Sequence, residues 1–324
     1  GTVPARAGER GLADRMMEPV QRDIDIVVST TEPVREVQYQ SDPIDVVSGE
    51  KVTGILFVSA DGRTDAEGDP KDPLDVTGIN QRLAESATAG PQAVLVVPIG
   101  ANEIHTGTDG LVLMPGNILM SKGNLVFQSS VTGRQFTFVR EVDPTILTND
   151  DGSVIVVTSD NRIIGIETLG GEHAVFGDAA SGVIMLDGVT LSGTSGSVVD
   201  LTAAATGNLT FVVRDSALDG AQGVALGIKD ADVVNVEIGN SSVNSGAGAA
   251  LSLSTSGGTA RTFSFTFTDT TVTAAAGGVD IDVQTSESLS LSFSGSQFQV
   301  DEFTVDARAG SDASAAFERV SVSL

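Results

Sequence analysis

FSFTFTDTTVTAAAGGVDIDV, residues 263–283, is the stretch that decides the fold. Phe263, Phe265 and Phe267 alternate with Ser264 and Thr266, so an extended segment here has one apolar face and one hydroxylic face. Asp269 follows at a turn, then a lone apolar anchor, Val272, then Gly277-Gly278 and a second alternating run, Val279–Val283. Outward from this stretch the anchor recurs at Ile166, Leu191, Leu218, Val243, Val272 and Phe298, at intervals of 25, 27, 25, 29 and 26 residues. A second series keeps step with it: Phe211, Val236, Phe265 and Leu291, at intervals of 25, 29 and 26. Short strands repeating at such a period are the signature of a solenoid of stacked β-coils. Stacking places like residues about 4.8 Å apart, which puts Asp215, Asn240 and Asp269 at one corner, where Asp and Asn tolerate a bent backbone.

Composition agrees. The 324 residues are 40% hydrophobic but only 4% aromatic, with no Trp and a single Tyr, Tyr39, which suits thin coils filled by small and β-branched side chains. Net charge is −25, from 43 acidic and 18 basic residues, so nucleic acid and anionic membranes are repelled and neither is an expected partner. The absence of Cys excludes disulfides and thiolate chemistry. No apolar run of about 18 residues could span a bilayer, and no signal-peptide hydrophobic region stands at Gly1. The sequence therefore reads as cytoplasmic or as an already processed product.

The expected organisation has three parts. Residues 1–40 read as a connector or arm, with helical composition over Arg6–Val20 broken at Pro19 and a short strand at Asp23–Ser29. Residues 41–107 read as a cap made of a strand (GILFVSADG, 54–62), a helix and a second strand (AVLVVP, 93–98). The helix is expected over Val76–Ala87, with Ile79, Leu83 and Ala87 on one face and Asp75 as its N-cap. Residues 108–324 hold about eight coils, a rod of roughly 40 Å. Leu111–Leu113, Ile118–Met120 and Leu125–Phe127 are expected as the three strands of the first coil, and 128–150 as an interruption with Phe136–Val139 in a hairpin or loop. Phe317–Leu324 reads as strand with no cap, an open edge. The fold class is thus all-β, a right-handed parallel β-helix with an N-terminal strand–helix–strand cap.

Few residues group as chemistry requires. His105 and His173 are not at metal-ligand spacing, and no nucleophile elbow is present. Asp61, Asp65, Glu67 and Asp69, with Asp72 behind them, concentrate hard oxygen donors suited to calcium, the one cofactor the sequence suggests. Asp280 and Asp282 point outward on one strand, and Asp306 lies about one coil after Asp280, a spacing at which two carboxylates could share acid–base work. No catalytic residue is assigned; the plainer alternative for these carboxylates is solvation of an acidic surface.

The order of segments resembles a known group. DRMMEPVQRDIDIVV (14–28) is similar to the junction that ends the β-barrel of inverse autotransporters, the intimin and invasin group. The run from GILFVSADG through GDPKDPLDVTGINQRLAES and AVLVVPIG to GLVLMPGNILMSKG (110–123) resembles the entry segment of β-helix passengers in bacterial surface proteins. The barrel itself is not in this sequence. The resemblance implies an extracellular location on the bacterial surface and a role as adhesin or structural element. The expected function is a non-enzymatic, self-associating surface protein that stacks end to end or forms a filament or layer, its partner a second copy of itself. Two alternatives stand beside it: an adhesin binding a cell-surface ligand through lateral loops, and a polysaccharide-active hydrolase or lyase.

Overall fold

The computed structural model describes residues 43–47, 49, 51–88, 93–100, 103–193, 195–203, 208–220, 225–229, 233–255, 262–283, 288–307, 312–318 and 321–323. The connector expected over 1–40, including the motif at 14–28, lies outside them.

Three parallel sheets of eight, ten and nine strands run the length of the described chain, and each coil contributes one strand to each sheet. The first sheet begins at Leu111–Val112 and ends at Glu302–Ala307, so eight coils give seven stacking steps. The chain is a parallel β-helix. Its interior is the ladder the sequence implies. Phe263, Phe265 and Phe267 pair in register with Val234, Val236 and Ile238 on one side and with Leu289, Leu291 and Phe293 on the other. All nine are buried in one continuous core. Toward the C-terminal end the core rings meet: Phe267 and Phe293 lie 5.2 Å apart at 18° and Phe298 meets Phe293 edge-on at 5.3 Å.

The anchor series needs one correction. Leu191 pairs with Thr168, not Ile166. Ile166 stands one position before Glu167, in the column continued by Val189, Ser216, Ser241, Thr270 and Ser296. Val189 and Leu191 are apolar and two residues apart, so either looks like the equivalent of Ile166 in a sequence, and only register separates their columns. Thr168 is 2% exposed and its Oγ1 is sealed with no hydrogen-bond partner.

Corners between the second and third sheets share one construction. Gly165, Gly188, Asp215, Asn240, Asp269 and Gly295 fall at successive corners, all with φ between 49° and 63°. The column just inside carries hydroxyls: Ser216, Ser241, Thr270 and Ser296 are each at most 7% exposed. Ser241 Oγ donates to Gly239 O at 2.7 Å and accepts the Ser216 amide of the preceding coil at 3.2 Å. Ser296 repeats this with Ser294 O and the Thr270 amide. Polar atoms in a dry corner are thereby satisfied.

At the N-terminal end Val52–Arg63 and Ala93–Pro98 join the ten-stranded sheet in parallel, and the helix Val76–Thr88 lies between them in sequence. Asp75 caps it, its Oδ1 accepting the Gly78 amide at 2.7 Å. Ile79 and Leu83 enter the core with Leu74 and Ala66. Asn80 then substitutes for a missing strand: its Nδ2 donates to Gly110 O at 2.8 Å and its Oδ1 accepts the Val112 amide at 2.9 Å, closing the edge of the first sheet.

Leu125–Phe127 is not the third strand of the first coil. It lies in Gly123–Ser129, which leaves the stack and pairs antiparallel with Gln135–Arg140, while Ile146–Asn149 supplies the coil's third strand. The reason is a second core. Leu125, Phe127 and Phe138 cover Leu95, Val97, Ile118, Met120 and Ile164 on the outer face of the second sheet. An alternating segment buries its apolar face on whichever apolar surface it reaches first.

Because Thr168 Oγ1 is a buried hydroxyl without a partner, Thr168→Val is expected to stabilise the protein by about 1 kcal/mol. The urea unfolding midpoint, measured against wild type, checks it.

Candidate functional site

Along most of the second sheet the outer face is paved with short polar side chains such as Thr210, Asn235, Ser264 and Ser290. Under the hairpin the paving stops and charges are buried instead. Arg162 stands between Ile118 and Met185 in register. Asp45 belongs to the short strand Pro43–Asp45, antiparallel to the first hairpin strand and opposite Phe127. Arg162 Nη1 donates to both Asp45 oxygens, at 2.7 and 2.8 Å. The two side chains are 8% and 0% exposed, so the pair is desolvated, and Arg162 Nε is sealed without an acceptor. Such a pair gains little over a matched apolar pair, but losing one partner strands the other.

Arg140 ends the second hairpin strand, opposite Gly123. It shares the inward face with Phe136 and Phe138 by alternation, and it is 7% exposed. Its Nε is sealed without an acceptor. Burial alone pushes its guanidinium below the ordinary arginine value. Asp187 lies beyond Ile164 in register and beside Arg214. Burial, and then the Asp215 charge, push its carboxyl above the usual range, against the pull of Arg162 and Arg214.

None of these four residues stands out in the sequence. Arg162 opens an apolar triplet, and Arg140 ends an alternating run in which Phe136 and Phe138 hold the same parity. That parity was the available signal for burial.

The residues the sequence did single out are dispersed. In the acidic loop Asp69 Oδ1 accepts the Lys71 and Asp72 amides, both at 2.7 Å. Asp72 takes Arg63 at 2.8 Å and the Glu67 amide at 3.2 Å, and the Arg63 hydrogen bond holds its carboxyl below the usual range. Asp61, Asp65 and Glu67 are exposed. Among the described residues no three His, Asp or Glu side chains group as a metal site. Asp306 pairs with Asp282, not with Asp280, which stands between Ser252 and Thr304. The shift is two residues, one step of the alternation. His105 accepts the Gly107 amide at Nδ1 and meets Asp150 through Nε2 at 3.0 Å. His173 lies on another coil, its Nδ1 on Ser197 O at 2.9 Å and its ring stacked on Phe176.

No protein-family model matches the chain, and no curated protein matches it. Among solved structures it is similar to pectate lyase Pel9A, at 11% identity over 86% of this chain and 79% of that one, with a TM-score of 0.40.

Asp45→Ala leaves Arg162 buried without its carboxylate and is expected to cost about 3–5 kcal/mol, whereas Asp45→Leu with Arg162→Met recovers most of that loss. Chemical denaturation of the single and double variants measures both. For Asp187 the sign follows from its raised carboxyl: the folded state holds a proton that the unfolded chain has released, so stability is lost as pH rises through the folded value. Asp187→Asn is therefore expected to raise the melting temperature at pH 7, with the gain vanishing below about pH 4, near the ordinary Asp value. Melting curves from pH 3 to 8 test it.

Proposed function

We propose that this chain is a non-enzymatic, extracellular structural β-helix that associates with copies of itself by edge-to-edge strand pairing. The observation that carries this is the edge of Gln135–Arg140, an outer strand of the three-stranded sheet formed with Gly123–Ser129 and Pro43–Asp45. Hydrogen bonding fixes which of its groups point outward. Ser129 donates to Arg134 O at 2.8 Å and Val46 to Val126 O at 3.1 Å, so odd-numbered residues of the first hairpin strand face the second and even-numbered ones face Pro43–Asp45. On the second strand the backbone of Phe136, Phe138 and Arg140 is then used internally. That of Gln135, Thr137 and Val139 points away, with no strand beyond it among the described residues.

Of the devices that blunt an edge, the segment QFTFVR carries only the inward-pointing charge of Arg140 at its end; it has no Pro, no Lys, no Gly and no bulge. It is also free of acidic residues in a chain of net charge −25, so two copies can approach here. Antiparallel self-pairing would join two three-stranded sheets into one of about six. The resemblance of residues 54–123 to surface passengers supports an extracellular setting.

Light scattering after size-exclusion chromatography, over a wide concentration range, tests the reading. Wild type is expected to associate with concentration. Thr137→Pro removes one outward N–H and no internal one, so it is expected to weaken association at least tenfold with an unchanged melting temperature. Strictly monomeric wild type, or a Thr137→Pro variant that associates equally well, defeats it.

A further inference from the structure

We infer that Arg140 is the recognition residue of an oxyanion site, taking a carboxylate, sulfate or phosphate group that none of the described residues supplies. A buried cation is retained where it is paired, and the neighbouring Arg162 shows how this chain does so, with both oxygens of Asp45. Arg140 is as deeply buried, at 7% exposed against 6% for Arg162. Yet among the described residues no carboxylate or carbonyl is hydrogen-bonded to its guanidinium, and its Nε is sealed without an acceptor. Burial lowers its ionisation.

Gly123 is the residue opposite, with φ +126°, and a Cβ there would come within 3.1 Å of Ile164 Cγ2. Arg140 thus faces a position without a side chain. Its Nε is the sealed nitrogen, and the terminal nitrogens are not among the sealed, unpartnered atoms, so the guanidinium tip is the part left to meet a ligand. The planar fork of the two terminal nitrogens can take two oxygens of one anion. A tetrahedral or carboxylate group fits that fork, whether it comes as a free ion or on an acidic glycan. Arg140 points inward while the pairing edge uses the backbone of Gln135, Thr137 and Val139, so the site is independent of self-association.

Thermal melting of the full chain distinguishes the outcomes. Wild type, Arg140→Met and Arg140→Lys are compared in sodium chloride, then with sulfate, phosphate or trigalacturonate at matched ionic strength. Wild type is expected to gain about 4 °C, saturably, at a hundredfold excess over Kd. Arg140→Met is expected to melt higher than wild type in chloride and to show no saturable gain. Arg140→Lys keeps the charge but loses the fork, and is expected to bind at least tenfold more weakly. A gain with the inorganic ions identifies a free-ion site, and a gain with trigalacturonate alone a uronate site. Saturable shifts of equal size in wild type and Arg140→Lys overturn the inference, as does wild type that responds to none of the three. If Arg140→Met does not fold, the wild-type and lysine curves decide alone.

Discussion

Every coil has to leave the second sheet and enter the third within a residue or two. The fold depends on how this bend is satisfied. A left-handed residue makes the turn and its amide bonds a carbonyl of the next coil. From Ser216 onward a buried hydroxyl stands just beyond it, and at Ser241 it answers a carbonyl of its own coil and an amide of the coil before. Gly takes the left-handed position in some coils, and Asp or Asn in others. Where Asn240 follows Asp215, the side chains also bond each other across coils. The corner thus sets the register, and register sets which apolar residues face inward. The phenylalanine ladder is a result of that arrangement rather than its cause.

The outer surface follows from the same geometry. Parallel strands in register repeat whatever side chain they carry, so a coil that places Ser or Thr outward paves the face with hydroxyls. One region breaks the pattern. The hairpin folds back over the second sheet, brings apolar residues to an outer face, and takes Asp45, Arg162 and Arg140 out of water. Buried charge, an unprotected strand edge and the departure from the coil rhythm therefore occur in one place, and that place is where the chain differs most from a plain solenoid.

Much of the fold could be read from residues alone, because its information is periodic. The Phe211 series and the Asp215–Asn240–Asp269 corner need only spacing, and the register agrees with both. Asp75 as a cap and Ile79 with Leu83 as a buried face are local signals and equally legible. Spacing fails where two columns lie two residues apart, which is why Ile166 stands in for Thr168 and Asp280 for Asp282. It fails again at Leu125–Phe127, since alternation says that a face is apolar but not which surface it meets. The buried charges were hidden for the same reason: Asp45 and Arg162 are 117 residues apart, and no pattern joins them.

That separation has a mechanical side. In a solenoid each rung touches only the next, so a pull on the chain ordinarily peels rungs one at a time from the loaded end. The clasp between Asp45 and Arg162 spans the helix, the first coil and the whole hairpin. Tension entering from the N-terminal side meets this clasp, in a water-free setting, before it reaches the first coil. Load is then shared by several rungs at once.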